Sequence, residues 1–261
     1  MTKLFTTLLF FLGIVWSSAQ GQYTTLNVHS HNDYEQKIPF FLAYNAHFGS
    51  IEADIWAVNG TLYVAHDSAD ITPSRTLEAL YLQPIAKYFR QNGGKAWNDS
   101  PATFQLLIDL KTQTEPTLSL LVTLLKKYPD VFNASMNKNS IPVVITGNRP
   151  GPAEFNKYPA NITFDGKLNL KYDAAQLKRV ALFSEDLEIF TRWKGTAAIP
   201  EKEEKRLKQV IDSVHGLNKK IRFWDAPDRA YAWRTLMKLK VDYLNTDHIQ
   251  DLATYIENFK N

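Results

Sequence analysis

The sequence contains no cysteine. That excludes a disulfide framework and a thioether-linked lipid at a processed N-terminus. It also lacks a dominant charge: 30 Lys and Arg against 27 Asp and Glu leave a formal net charge of +3. The signs are mixed along the chain, so there is no electrostatic footprint for nucleic acid. The one dense charged run, Glu201-Lys202-Glu203-Glu204-Lys205-Arg206, alternates in sign and reads as a solvated helix face. Histidine is sparse, with six in the chain and none between Pro142 and Phe183. There is no internal repeat, no low-complexity tract, and only one long apolar run. That run, Leu4 to Trp16, is broken by Thr6, Thr7 and Gly13, follows Lys3 and ends in Ser17-Ser18-Ala19. It is short for a membrane span and has the order of an export signal, with an uncleaved anchor as the alternative. Residues 1–19 are therefore expected to be removed. The product is expected in the periplasm or the medium, with no transmembrane segment after signal removal.

Removing 19 of 261 residues leaves 242, near the roughly 250 of a single α/β barrel. Apolar content of 44% and charged content of 22% are ordinary for a globular chain. Within residues 20–261, short apolar and β-branched runs alternate with stretches of helical spacing. Strands are expected near Leu26–Val28, Ser50–Ile55, Gln105–Leu110, Pro142–Thr146, Ile162–Phe164, Val180–Phe183, Ile221–Trp224 and Tyr243–Asn245. Helices are expected at Pro39–His47, Pro116–Lys127, Lys202–Leu217, Arg229–Leu239 and Ile249–Phe259. Such alternation implies a parallel sheet with helices outside it. Eight strands in this length favour a single TIM-type (β/α)8 barrel, irregular in places, over an open doubly wound sheet. Residues 91–101, with Gly93, Gly94 and Pro101, read as a loop insertion and not a domain boundary.

The polar residues gather where such a barrel places its chemistry, at the C-terminal ends of strands. The first strand ends in His29-Ser30-His31-Asn32-Asp33. The second carries Glu52 and Asp54 at i and i+2, on one face. The third ends in Asp109-Leu110-Lys111. Pointing inward, Glu52, Asp54 and Asp109 offer three hard oxygen ligands for one divalent cation, Mg²⁺ or Ca²⁺. Without a cation, three such carboxylates repel one another. Asn59-Gly60 marks a hairpin that swings His66-Asp67 back toward the first strand's end. Two histidines, His29 and His66, then divide general base and general acid work, with Asp67 orienting His66. Lys111 shares the face of Asp109 and suits a phosphoryl oxygen. His47 and His215 read as structural or exposed. Tyr34, Trp56, Trp193 and Trp224 divide between pocket lining and core, and their spacing does not assign them.

The segments Val28-His29, Ile51 to Ile55, Gly60 to Asp67 and Leu107 to Lys111 resemble, in order, the signatures of glycerophosphodiester phosphodiesterases and the wider phospholipase-C-like phosphodiesterase superfamily. Ile221 to Asp225 and Val241 to Asp247 are similar to that family's last two strands. The opening His29 to Tyr34 resembles a divergent branch, the fungal "altered inheritance of mitochondria protein 6" type. The resemblance implies a TIM barrel, a cation on Glu52, Asp54 and Asp109, acid–base work by His29 and His66, a phosphate contact from Lys111 and an aromatic wall from Trp224. It implies a small phosphodiester or phospholipid-derived substrate.

Two departures stand out. Ser30 replaces the arginine that usually follows the first histidine, and the usual Pro-Glu-Asn-Thr segment is missing between Asn32 and Pro39. Arg149, after the expected fourth strand, is the candidate replacement for the phosphate-gripping arginine. His31 is the alternative to His29, and Asn32, Asp67 and Asp247 are the supporting candidates. The sequence also admits two rival readings. One is a metallohydrolase of the amidohydrolase type, opened by His29-x-His31, but its further histidines are lacking on the middle strands. The other is a barrel that binds a metal without catalysis.

Overall fold

The computed structural model describes residues 23–259. The expected export signal, residues 1–19, lies outside the described residues. Among the described residues nine strands form: β1 (Val28–Ser30), β2 (Ser50–Val58), β3 (Thr61–Val64), β4 (Gln105–Leu110), β5 (Val143–Gly147), β6 (Ile162–Gly166), β7 (Val180–Asp186), β8 (Lys220–Trp224) and β9 (Leu244–Thr246). Eight of them run parallel in the order β8, β7, β6, β5, β4, β2, β1, β9. A bridge between Arg222 and Tyr243 joins β8 to the chain entering β9 and nearly closes the ring. The expected TIM-type barrel is what the residues build. β3 lies off the ring and pairs antiparallel with the far end of β2. Its turn is the expected Asn59-Gly60, both at positive φ (50° and 79°), as a two-residue hairpin of this hand requires.

The helices are α1 (Phe41–Asn45), α2 (Gln83–Gln91), α3 (Thr114–Leu125), α4 (Pro129–Phe132), α5 (Ala174–Lys178), α6 (Glu201–Gly216), α7 (Ala230–Lys238) and α8 (Ile249–Phe259). Their apolar stripes face the outside of the barrel. In α6, Leu207, Ile211 and Val214 are buried while the alternating-charge run is largely exposed, as expected for a solvated face. Burying each of those three contributes about 1.5–3 kcal/mol. The irregularity falls between β5 and β6, where a three-ten segment (Pro152–Lys157) stands in place of a helix. In the segment before β4, Trp97 is buried against Tyr44 and stacks on His47. No helix among the described residues is long and apolar enough to cross a membrane.

The barrel has two apolar regions of different size. The large one lies between strands and helices and includes Ile51, Leu106, Ile108, Val143, Ile145 and Phe164. The small one, Leu107, Val144, Leu182 and Tyr243, plugs the interior. Above that plug the inward positions turn polar, and the site begins there.

Candidate active site

Strand alternation decides which side chains meet. On β4, Leu106, Ile108 and Leu110 pack outward, which turns Leu107 and Asp109 in. Asp54 of β2 is the register partner of Asp109. With Glu52 one pleat below, ligand oxygens of Glu52, Asp54 and Asp109 lie within 4.8 Å of one another. This is the sole cluster of three or more metal-ligating side chains found among the described residues. The further histidines that an amidohydrolase needs do not reach the cluster: His215 bonds Asp242, and His248 is exposed beyond β9.

The cluster's carboxylates act on one another's acidity. Burial, then the Glu52 and Asp109 charges, push the Asp54 carboxyl up to about 6, against the pull of Lys111. Burial likewise raises Asp109, with Lys111 opposing. Lys111 Nζ lies 2.8 Å from Asp54 Oδ2 and 3.2 Å from Asp109 Oδ2. Tyr34 donates its phenolic proton to Asp54 Oδ2 at 2.7 Å, while Asp54 Oδ1 is buried without a partner.

The same phenol oxygen is 3.0 Å from His66 Nδ1 and 2.9 Å from Asn32 Oδ1. A phenol has one proton, and Asp54 receives it. His66 with its own proton on Nδ1 then donates to Tyr34 and leaves Nε2 free. Asn32 reaches Tyr34 from a left-handed backbone (φ 45°), which asparagine tolerates. Asp67 does not orient His66; it is exposed and makes no side-chain hydrogen bond among the described residues. Tyr34 takes that part, because the hairpin brings His66 down over the three-ten turn Asp33–Glu35 and carries Asp67 outward.

The two N-terminal histidines have different surroundings. His29 is fully buried. Its Nε2 lies 2.9 Å from Glu52 Oε2 and its Nδ1 2.7 Å from Ser50 Oγ, and Arg222 Nη1, a donor only, also meets Nε2. Burial and then Arg222 push its imidazole down to about 3, so it is neutral at ordinary pH. His31 is partly exposed, and its Nδ1 lies 2.9 Å from Asp247 Oδ1. Burial works against charge on His31, but the Asp247 hydrogen bond and the Glu52 and Asp247 charges outweigh it and raise its pKa. Asp247 is itself fixed by its backbone N–H, which donates to Asp228 Oδ2 at 2.8 Å.

A cavity of about 290 Å³ opens over this floor, at the C-terminal mouth of the barrel. His31, Glu52, Asp109, Lys111 and Trp224 line it, together with Thr146, Gly147, Asp165, Lys167, Ser184 and Arg222 from β5 to β8. His29 does not line it, and neither do Asp54 and His66, which meet through Tyr34. Arg149 does not either: its Nη1 donates to Pro150 O and its guanidinium lies over Phe155. Gly147, in the left-handed region at φ 67°, turns the chain away before Arg149 is reached. A Cβ at Gly147 would overlap Asp109 Oδ1, so glycine is also what lets that carboxylate sit where it does. The arginine that the cavity does hold is Arg222, from β8. Its Nε donates to Ser184 Oγ at 3.1 Å and its Nη1 is 3.4 Å from Glu52 Oε2. Burial alone would raise the Glu52 carboxyl, but Arg222 and the His29 hydrogen bond hold it below the usual range. In sequence Arg222 is visible only as a charge inside an apolar strand.

A family model for an AIM6-like phosphodiesterase domain matches residues 18–164, more than half of the chain. The chain belongs to that family. A model for the glycerophosphoryl diester phosphodiesterase family matches residues 220–250, which hold β8 and β9. The "Altered inheritance of mitochondria protein 6" of Kluyveromyces lactis is 27% identical over 88% of this chain and 72% of its own length. Its homolog from Arthroderma benhamiae is 28% identical over 87% and 83%. Among solved structures, a glycerophosphodiester phosphodiesterase from Parabacteroides distasonis superposes with a TM-score of 0.54 at 10% identity, covering 90% of this chain and 97% of that one. A phosphodiesterase from Oleispira antarctica, in complex with the product sn-glycerol-3-phosphate, gives 0.53 at 12%, covering 88% and 95%. These structural likenesses speak for the fold. Together with the family matches they place this AIM6-like chain on a divergent branch of the glycerophosphodiester phosphodiesterase superfamily, as the motifs led one to expect.

Proposed function

We propose that this AIM6-like protein is a phosphodiester hydrolase that works with one divalent cation, Mg²⁺ or Ca²⁺, and transfers protons through His31 and His66. The observation that carries the reading is the shared cavity: Glu52 and Asp109 of the acidic cluster, the polarised His31 and the cationic Lys111, Lys167 and Arg222 line one barrel mouth. The donor set suits a hard cation. Ligand oxygens within 4.8 Å of one another match those around an ion with oxygen distances of about 2.1–2.4 Å. Asp54 Oδ1, buried and unpartnered, is the atom that most lacks a cation. A cation on Glu52, Asp54 and Asp109 would polarise the phosphoryl group and offset its charge.

The chain's own residues supply the rest. Lys111 and Arg222 offer donors for the remaining phosphoryl oxygens, the part expected of Arg149 from sequence. His66, protonated on Nδ1 toward Tyr34, has Nε2 free to take a proton from the nucleophile, a water or a substrate hydroxyl. His31 keeps its proton further up the pH scale because of Asp247, which suits the acid that protonates the leaving alcohol. His29, neutral and buried, positions Glu52 and Ser50. Its sequence position made it the leading candidate for catalysis, and its burial favours His31 in that role. Trp224 forms a wall of the alcohol side.

The test is hydrolysis of bis(p-nitrophenyl) phosphate by the mature protein, with EDTA and with Mg²⁺ or Ca²⁺ restored. Activity that disappears with EDTA and returns with metal is the expected result. Turnover unaffected by EDTA removes the cation from the reading. Export belongs to the same proposal and rests on the N-terminal pattern alone. N-terminal sequencing of the native protein should start at Gln20, and an intact Met1 would sink it.

A further inference from the structure

We propose that Asp33 is a positioning residue for the reaction, folding the loop between β1 and α1 so that His31 reaches the cavity and Tyr34 meets Asp54 and His66. The inference rests on the phosphodiesterase reading, in which His31 and His66 carry the protons and Asp33 has no part. The Asp33 carboxylate is fully buried. Its Oδ1 accepts from Ser30 Oγ at 2.8 Å, and its Oδ2 accepts from Phe40 N at 2.6 Å and from Tyr81 OH at 2.8 Å. Ser30, the first of these donors, stands where the related phosphodiesterases usually have arginine. Phe40 and Tyr81 belong to the apolar layer between strands and helices, and Asp33 does not line the cavity.

Those three partners are two hydroxyls and a backbone N–H, with no charge among them. Burial pushes the Asp33 carboxyl up to about 6 against their pull. A carboxylate held this way costs stability that an apolar side chain of similar size would not. What it supplies is geometry: donors converge on it from β1, from the start of α1 and from the helical turn Glu78–Leu82 ahead of α2. The loop it closes is bent at both ends. Asn32 is left-handed at φ 45°, and Phe40 sits at φ 65° and ψ −53°. A phenylalanine stays in that region only where its surroundings over-determine it, and Phe40 is fully buried with its N–H on Asp33. His31 stands just before the first bend, 2.9 Å from Asp247. Tyr34 stands just after it, its phenol 2.7 Å from Asp54 and 3.0 Å from His66. Arg75 and Gln36 add more exposed ties, to Tyr34 O and Asp247 O.

The test compares Asp33→Ala with Asp33→Asn in the mature protein. Asparagine offers one oxygen to Phe40 and Tyr81 and donates its amide to Ser30 Oγ, so it rebuilds the same convergence without charge. On bis(p-nitrophenyl) phosphate with Mg²⁺, Asp33→Ala should lose about 10²-fold in kcat per folded molecule, the effect of a misplacement of about 1 Å. Asp33→Asn should recover all but about threefold of it. Cation binding in calorimetry should survive both changes, because Glu52, Asp54 and Asp109 stand on β2 and β4. Imidazole NMR needs no turnover. The His31 and His66 resonances should move in Asp33→Ala and return in Asp33→Asn, with His215, paired with Asp242, unmoved throughout. Wild-type kcat in folded Asp33→Ala, or unmoved His31 and His66 resonances, overturns the proposal. So does an Asp33→Asn protein as impaired as Asp33→Ala. Should Asp33→Ala fail to fold, Tyr81→Phe removes one donor and decides. A kcat lowered by about fivefold or more with both resonances shifted supports the proposal, and the absence of either overturns it. If the wild type hydrolyses no phosphodiester, that reading fails on its own, and the resonances alone decide whether Asp33 sets the loop.

Discussion

The two halves of the barrel mouth are built on different plans. From β1 to β4 the polar residues come in dense runs: His29 to Asp33, Glu52 with Asp54, Asp109 with Lys111. From β5 to β8 Thr146, Asp165 and Arg222 stand singly between apolar or glycine neighbours, and only β7 has a short polar run, Ser184-Glu185-Asp186. The first half concentrates negative charge. The second returns a positive one across the barrel, where Arg222 meets Glu52 and His29. Neither half is electrostatically complete alone. Two buried carboxylates and a half-buried third need counter-charge, and a buried guanidinium needs an anion.

Breaking the acidic half should have the largest effect. Glu52→Gln removes a ligand and the partner of Arg222 together, and activity should fall by about 10³-fold or more with cation binding lost in calorimetry. Activity retained without bound metal would show that the acidic half is not a cation site. Next, His31→Ala should lower turnover by about 10²–10⁴-fold while cation affinity stays near wild type. His29→Gln with the larger loss in turnover would return the acid–base role to His29. Arg222→Met strands Glu52 in the interior and should cost about 3–5 kcal/mol in chemical denaturation, part of it recovered by added divalent cation. A melt indifferent to both changes would mean that the halves are not coupled.

A smaller effect is expected at Asp247. The His31 pKa is raised in the fold, so its contribution to stability is fully present below its unfolded value, about 6.5, and is lost as pH rises through the folded value. If His31 acts as the acid, the alkaline limb of kcat/KM reports the same group. Asp247→Asn removes the opposing charge and should move that limb to lower pH. A limb that moves up, or stays, separates His31 from Asp247. Arg149→Ala should do least, changing kcat/KM by less than about twofold, because its side chain lies outside the cavity.

The contrast also explains what could be read in the chain. Glu52 and Asp54 two apart in an apolar strand, or Asn59-Gly60 before a short strand, are local patterns with few alternative uses. Strands and the barrel followed from such patterns, and even β6, the least marked of them, formed. Arg222 and Asp165 carry no local pattern; their meaning comes from partners 170 and 19 residues away. Arg149 looked suitable by position, and only the left-handed Gly147 shows why it points elsewhere. The helix α2 went unread although Ile85, Ala86 and Phe89 supply its buried stripe and Pro84 its first turn. His29 and His31 are two residues apart at the end of β1, a spacing that period-two alternation could not separate. Their depth in the barrel does.

β2 serves two structures in succession. Ser50 to Ile55 pair within the ring, and Ile55 to Val58 pair with β3 outside it. Glu52 and Asp54 therefore sit on a chassis braced from both sides, whereas His66 rides at the end of an outrigger. Tyr34 nevertheless ties that end back to the floor, because its hydroxyl meets both His66 and Asp54. Lengthening or shortening the hairpin would therefore move the proton carrier and change the hydrogen bonding of one carboxylate together, so the two are constrained to vary as a pair.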